Sequence, residues 1–360
     1  MPSSGASCAN QGYHQSADFS DIYTGRLLSE IPTAISSLLG PLIDQQNLTT
    51  INLNDNAFGR NTVESILPFL SRHTPLQHLH LNNNGLGPDA GILVANALSE
   101  LHARKEEARK AGSNVPDLET VICGRNRLES GSMDAWSRML GLHTNIRTLR
   151  MVQNGIRPVG LATFFREGVS QAKQLRVLDL NDNTLTLAAS KQLALVLPTL
   201  SNMTELNIGD AVLGNKGATL IFQALGQGKS GKLEKLCVQY GEFNGKALAT
   251  LVAAVEKLPL LRRIELNGNK FSKNHTHLEP LRELLAGRKK DQDDDDDDAW
   301  GLDELDELDY DSDEPEESDE EEEEEIVADD SDQEKETPIS DVEKDKDVLE
   351  LTKVLEKTDI

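Results

Sequence analysis

The chain has 360 residues, of which 27% are charged and 4% aromatic, and its formal net charge is -25. No apolar run is long enough to span a bilayer and the N-terminus does not read as a signal peptide, so a membrane-spanning protein is not expected. The three cysteines, Cys8, Cys123 and Cys237, have neither paired nor metal-ligand spacing, which argues against a disulfide framework and suits a reducing compartment.

In chain order, residues 1–16 carry no repeat pattern and are expected to form a disordered N-terminus. A first strand is expected near Phe19, with an open edge. From Leu48 the phrase L-x-x-L-x-L-x-x-N-x-L occurs eight times, starting at Leu48, Leu76, Leu118, Ile146, Leu175, Met203, Leu233 and Leu261. Steps of 28 to 30 residues, with one of 42, mark long leucine-rich repeats. In the copy that begins at Leu175, Leu178 and Leu180 alternate with Asp179, as in a strand with one buried face. Ala189, Leu193, Val196, Leu197 and Leu200 then fall on one helix face. Each unit is therefore strand, turn and helix, with parallel strands on the concave side and helices outside. The predicted fold is an α/β leucine-rich-repeat solenoid over residues 17–290, a horseshoe of the ribonuclease-inhibitor type. The turn residue is Asn56, Asn84, Asn126, Asn154, Asn183 and Asn269, with Ala211 and Gly241 in two copies. These asparagines are expected to satisfy backbone groups in the turns.

Residues 102–116 account for the long step by lengthening a helix and its return loop. Arg104, Lys105, Arg109 and Lys110 in this stretch are expected on a solvated basic face. His73, His78 and His80 lie close in sequence without a cysteine or carboxylate among them, and are read as surface residues rather than metal ligands. Gly228-Lys229-Ser230 lacks the upstream glycine and the preceding strand that a phosphate loop needs. Cys123 replaces a strand leucine, so a buried thiol is expected. No cofactor is implied.

Residues 291–360 hold 36 acidic residues and 5 lysines, a net -31, which leaves +6 on the rest of the chain. Such a polyanion is expected to be disordered. Within it, the stretch from Trp300 to Tyr310 carries leucines at every third position and reads equally well as an end cap or as a solvated linker. Val348 to Leu355 could form a short amphipathic helix.

With no catalytic constellation in the chain, the loops after the strands are the candidate functional surface. Arg26, Arg125, Arg127 and Arg157 are expected to share that edge with Asn83 and Asp182, a row able to position a charged partner. Polar turns account for these residues equally well.

The strings SDIYTGR, LNDNAFG, HTPLQHLHLNNNGLGP, ICGRNRLESGSM and MVQNGIRP go far beyond the repeat consensus. They resemble the family of Ran GTPase-activating proteins over roughly residues 17–325. The resemblance implies a Ran-type small GTPase in its GTP form as partner, acceleration of its hydrolysis, and a role in nucleocytoplasmic transport from the cytoplasm or the nuclear envelope. It implies an activator rather than an enzyme, a monomeric chain, and neither nucleic acid nor membrane as partner. In that family an asparagine, here Asn83, orients the partner's catalytic glutamine and no arginine finger enters. Arg26 matches the family's basic rim residue, and Arg127 and Asp182 match further rim positions. Leu28 stands where the family has a lysine, and the family has further repeat structure before this point. The alternatives are a leucine-rich-repeat binding or inhibitory module without activating power, and an acidic histone chaperone, whose repeats would be shorter.

Overall fold

The structure is a computed structural model that describes residues 15–23, 25, 27–56, 58–290 and 299–308. Its strands are β1 (Gln15–Asp18), β2 (Leu48–Asn52), β3 (His78–His80), β4 (Thr120–Ile122), β5 (Thr148–Arg150), β6 (Val177–Asp179), β7 (Glu205–Asn207), β8 (Lys235–Cys237), β9 (Arg263–Glu265) and β10 (Gly301–Leu302). All run parallel, in sequence order, in one sheet. The registers stack Ile51, Leu79, Val121, Leu149, Leu178, Leu206, Leu236 and Ile264 into one buried column. Helices α1 (Ile31–Leu39), α2 (Gly59–Arg72), α3 (Gly87–Lys110), α4 (Met133–Leu142), α5 (Pro158–Thr163), α6 (Leu187–Val196), α7 (Gly214–Leu225), α8 (Gly245–Val255) and α9 (Leu278–Lys290) return the chain on the other side. Strands sit about 4.8 Å apart and helix axes about 8–10 Å apart, so stacked strand–helix units bend with the sheet inside.

Every turn asparagine is buried. Asn84 shows why burial is tolerated. Its Nδ2 donates to Leu53 O (3.0 Å) and Asn82 O (2.9 Å), and its Oδ1 accepts from the Asn56 backbone N–H at 3.1 Å. Asn126, Asn154 and Asn183 repeat the arrangement. Each amide thus bonds its neighbouring repeats through groups that would otherwise be buried unpaired.

Two expectations about surface residues fail for the same reason. Lys105 is buried, not part of a solvated face, and its Nζ donates to Thr74 O, Leu76 O and Pro116 O, each at 2.7 Å. Burial pushes its pKa down to about 7. His73 is also buried, with Nδ1 2.9 Å from Ile43 O and Nε2 2.6 Å from Leu48 O. Both side chains reach carbonyls left without strand or helix partners where the chain passes between repeats, a demand that residue polarity does not reveal. His78 and His80 are half-buried on β3.

The expected boundaries at residues 16 and 291 also shift. β1 already begins at Gln15 and pairs with β2. At the other end, β10 pairs with β9, and Leu305 is buried on the last repeat with Leu302 and Leu308 packed against the core. The cap reading of the Trp300 segment therefore holds for residues 299–308. In each earlier unit the residue after the strand donates its N–H to the next strand's last carbonyl, as Val238 does to Glu265 at 3.0 Å. After β9 no full strand follows, and the Asp303 carboxylate stands in, accepting from Leu266 N at 2.8 Å and Asn267 N at 2.9 Å. Residues 1–14, the acidic runs and the Val348–Leu355 stretch lie outside the described residues.

Candidate functional site

The residue directly before each turn position forms a row along the loop edge of the sheet. Asp21, Asp55, Asn83, Arg125, Gln153, Asp182, Asp210 and Tyr240 occupy successive rungs, all left-handed, with φ from 50° to 62°. This conformation points each N–H along the sheet to the next unit. Asp55 N donates to Asn82 O (2.9 Å), Asn83 N to Gly124 O (2.9 Å), Arg125 N to Val152 O (2.7 Å) and Asp182 N to Gly209 O (3.0 Å). Asparagine and aspartate tolerate the left-handed region better than most residues, whereas arginine, glutamine and tyrosine adopt it at a cost of about 1–2 kcal/mol. Gly268 ends the row at φ 70°, where a Cβ would collide with the Tyr240 ring. Since every unit has this turn, the backbone belongs to the repeat. What changes from rung to rung is the side chain presented.

Three of the residues singled out by sequence, Asn83, Arg125 and Asp182, fall in this one row, and all three are exposed. Rungs are about 4.8 Å apart, so Asn83 and Arg125 are immediate neighbours and Asp182 lies about 14 Å from Asn83. Arg127 and Arg157 are exposed just past the row, in the turns that lead into the helices. Among the described residues no side-chain ion pair engages Arg125, Arg127 or Arg157. Arg150 on the concave face differs, being bound to Asp179 at 2.6 Å and Glu205 at 3.1 Å. Arg26 lies outside the described residues, and Leu28 beside it is exposed.

The Asn83 amide is exposed and has a partner, since its Nδ2 donates to Asp55 Oδ1 at 2.9 Å. Asp55 was missed in the sequence. The available signal was positional, since it precedes Asn56 as Asn83 precedes Asn84. Further along, partial burial raises the Asp210 pKa, and the charge of Asp182 adds to the effect while an Asn181 hydrogen bond opposes it. The Cys123 thiol is buried, and burial pushes its pKa up to about 12, so it is inert. Among the described residues no group of three His, Cys, Asp or Glu side chains is placed to hold a metal ion, and no helix is long and apolar enough to cross a membrane.

The leucine-rich repeat family matches residues 72–95 and 199–222. Ran GTPase-activating protein 1 of Saccharomyces cerevisiae is 38% identical over 269 residues, 73% of this chain and 65% of that protein. Ran GTPase-activating protein 1 of Xenopus laevis is 40% identical over 38% of this chain and 24% of its own length. Ran GTPase-activating protein 2 of Caenorhabditis elegans is 41% identical over 39% of this chain and 15% of its own. The chain is similar in sequence to Ran GTPase-activating proteins. It spans less than two thirds of the length of each of these three relatives.

Proposed function

We propose that the chain is a GTPase activator that binds a Ran-type GTPase in its GTP form and accelerates hydrolysis by positioning the partner's catalytic glutamine. The observation that carries this reading is Asn83, an exposed carboxamide on a rigid, left-handed rung whose backbone N–H is bonded into the sheet. The relatives' printed names support the choice of partner.

A GTPase of this kind already holds nucleotide and attacking water. Fixing a mobile glutamine removes disorder from the transition state, and a rigid mount favours that. Activators that insert an arginine contribute roughly 10³–10⁵ in rate, so positioning would have to be comparably effective. Arg125, Arg127 and Arg157, free of internal ion pairs among the described residues, provide contacts for acidic groups of the partner. Asp182 provides one for a basic group. In this reading the protein is a monomer working from the cytoplasm in nucleocytoplasmic transport, and the hydrolytic chemistry stays within the partner.

The test is single-turnover GTP hydrolysis by Ran with increasing amounts of this protein. Acceleration is expected, and Asn83→Ala should slow the saturated rate by at least about tenfold, a loss of about 1.4 kcal/mol of transition-state stabilisation. Binding without acceleration would instead support an inhibitory or scaffolding module. An Asn83→Ala variant as fast as the parent would reject the role given to Asn83.

A further inference from the structure

The geometry points to Asp55 as a positioning residue that sets which face of the Asn83 carboxamide meets the partner. This rests on the functional reading above and adds a residue and a polarity to it. Asp55 and Asn83 occupy the same position in adjacent units, and each has its backbone N–H bonded to the next unit. The Asp55 carboxylate takes the Asn83 Nδ2 at 2.9 Å. A carboxylate only accepts, so it selects the amide's donor end and leaves Oδ1 as the free end. On the other side of Asn83 the next rung carries Arg125. A flip of the amide would turn its oxygen towards the Asp55 carboxylate, acceptor against acceptor. An unconstrained asparagine offers either end, whereas here the fixed amide presents Oδ1 as its acceptor, with one Nδ2 hydrogen still unused. Its complement on the partner is therefore an N–H donor, and the amide nitrogen of a glutamine fits.

Asp55 is exposed and packs against nothing in the core, so replacing it tests orientation rather than folding. Single-turnover hydrolysis by Ran is measured across protein concentrations for the parent, Asp55→Ala, Asp55→Asn, Asn83→Ala and the Asp55→Ala/Asn83→Ala pair. In parallel, the Asn83 side-chain amide resonances are followed by NMR. Asp55→Ala should lower the saturated rate about tenfold while the half-saturating concentration moves little, since losing one charge-assisted hydrogen bond misorients a group that acts on the transition state. Asp55→Asn keeps an acceptor and should recover part of that rate. The pair should be no slower than Asn83→Ala alone, because Asp55 acts only through Asn83. The Asn83 amide protons should shift in Asp55→Ala.

An unchanged saturated rate in Asp55→Ala, or an equal further loss when Asp55→Ala is added to Asn83→Ala, would overturn the inference while leaving the activator function standing. Unshifted Asn83 amide protons would overturn it too. If the parent does not accelerate hydrolysis, the functional reading fails and this inference fails with it.

Discussion

Asn83 and Asn84 are adjacent in sequence and identical in type, yet they should respond to mutation in opposite ways. Asn84 bonds Leu53 O, Asn82 O and Asn56 N from a buried position. Asn84→Ala leaves several of these groups unpaired away from water and should cost about 2 kcal/mol, read by urea unfolding. Asn83→Ala should change stability by no more than about 0.5 kcal/mol in the same experiment. His143 adds a pH dependence. It is buried, its Nε2 lies 2.8 Å from Leu98 O, and burial pushes its pKa to about 4 from an ordinary 6.5. The folded ring therefore binds fewer protons than the unfolded one between those values. Stability should fall as pH drops from about 6.5 to 4, by up to roughly 3 kcal/mol from this group. A His143→Gln variant should show a flatter stability profile over that window. At this scale the sequence was legible where position in the repeat decides a residue's environment, as for the turn asparagines. It was not legible for Lys105 and His73. Their burial depends on carbonyls exposed at junctions between units, which only the stacked chain brings near them.

Among the elements, β10 and the loop after it change how the C-terminal region must be divided. Tail removal at residue 291 would discard the pairing of β10 with β9, the Asp303 bonds and the buried Leu305. A chain ending at 290 should be destabilised by about 2–4 kcal/mol, mostly from re-exposed leucine surface and unpaired N–H groups, whereas a chain ending at 310 should unfold like the full-length protein. Thermal unfolding of the two truncations decides this. The leucines at every third position were visible in the sequence, but they fit neither strand alternation nor the helical period. Their partner is the open end of the last repeat, which composition cannot show. The acidic neighbours Asp303, Asp306 and Glu307 concealed the cap further. In place they bond backbone or polar groups, with Asp306 reaching Asn267 and Glu307 reaching Tyr240.

For the whole molecule, charge and shape divide between the two ends of the sequence. The repeat phrase made the solenoid legible from the first reading, because one unit cannot bury its own apolar face and stacking is the remaining solution. Exposed charges are screened within about 8 Å at physiological salt. Removing residues 311–360 should lower the association rate with a basic partner surface mainly at low ionic strength, which stopped-flow measurements across a salt series would detect. An equal loss at every salt concentration would point to a docked contact instead.

The insertion in the second repeat has a consequence for how such a protein can change. His78 and Thr120 are 42 residues apart in sequence yet pair as immediate neighbours, just as Thr50 and His78 do across 28. The additional length is taken up by α3 and by its return loop, which Arg109 fastens to Asp117 at 2.6 Å. The rim is therefore a ruler whose graduations are cut by the sheet alone. Sequence can be gained or lost on the outer side without moving a single mark, so a rim held in register by the sheet can coexist with a back face free to lengthen, shorten or acquire new attachments.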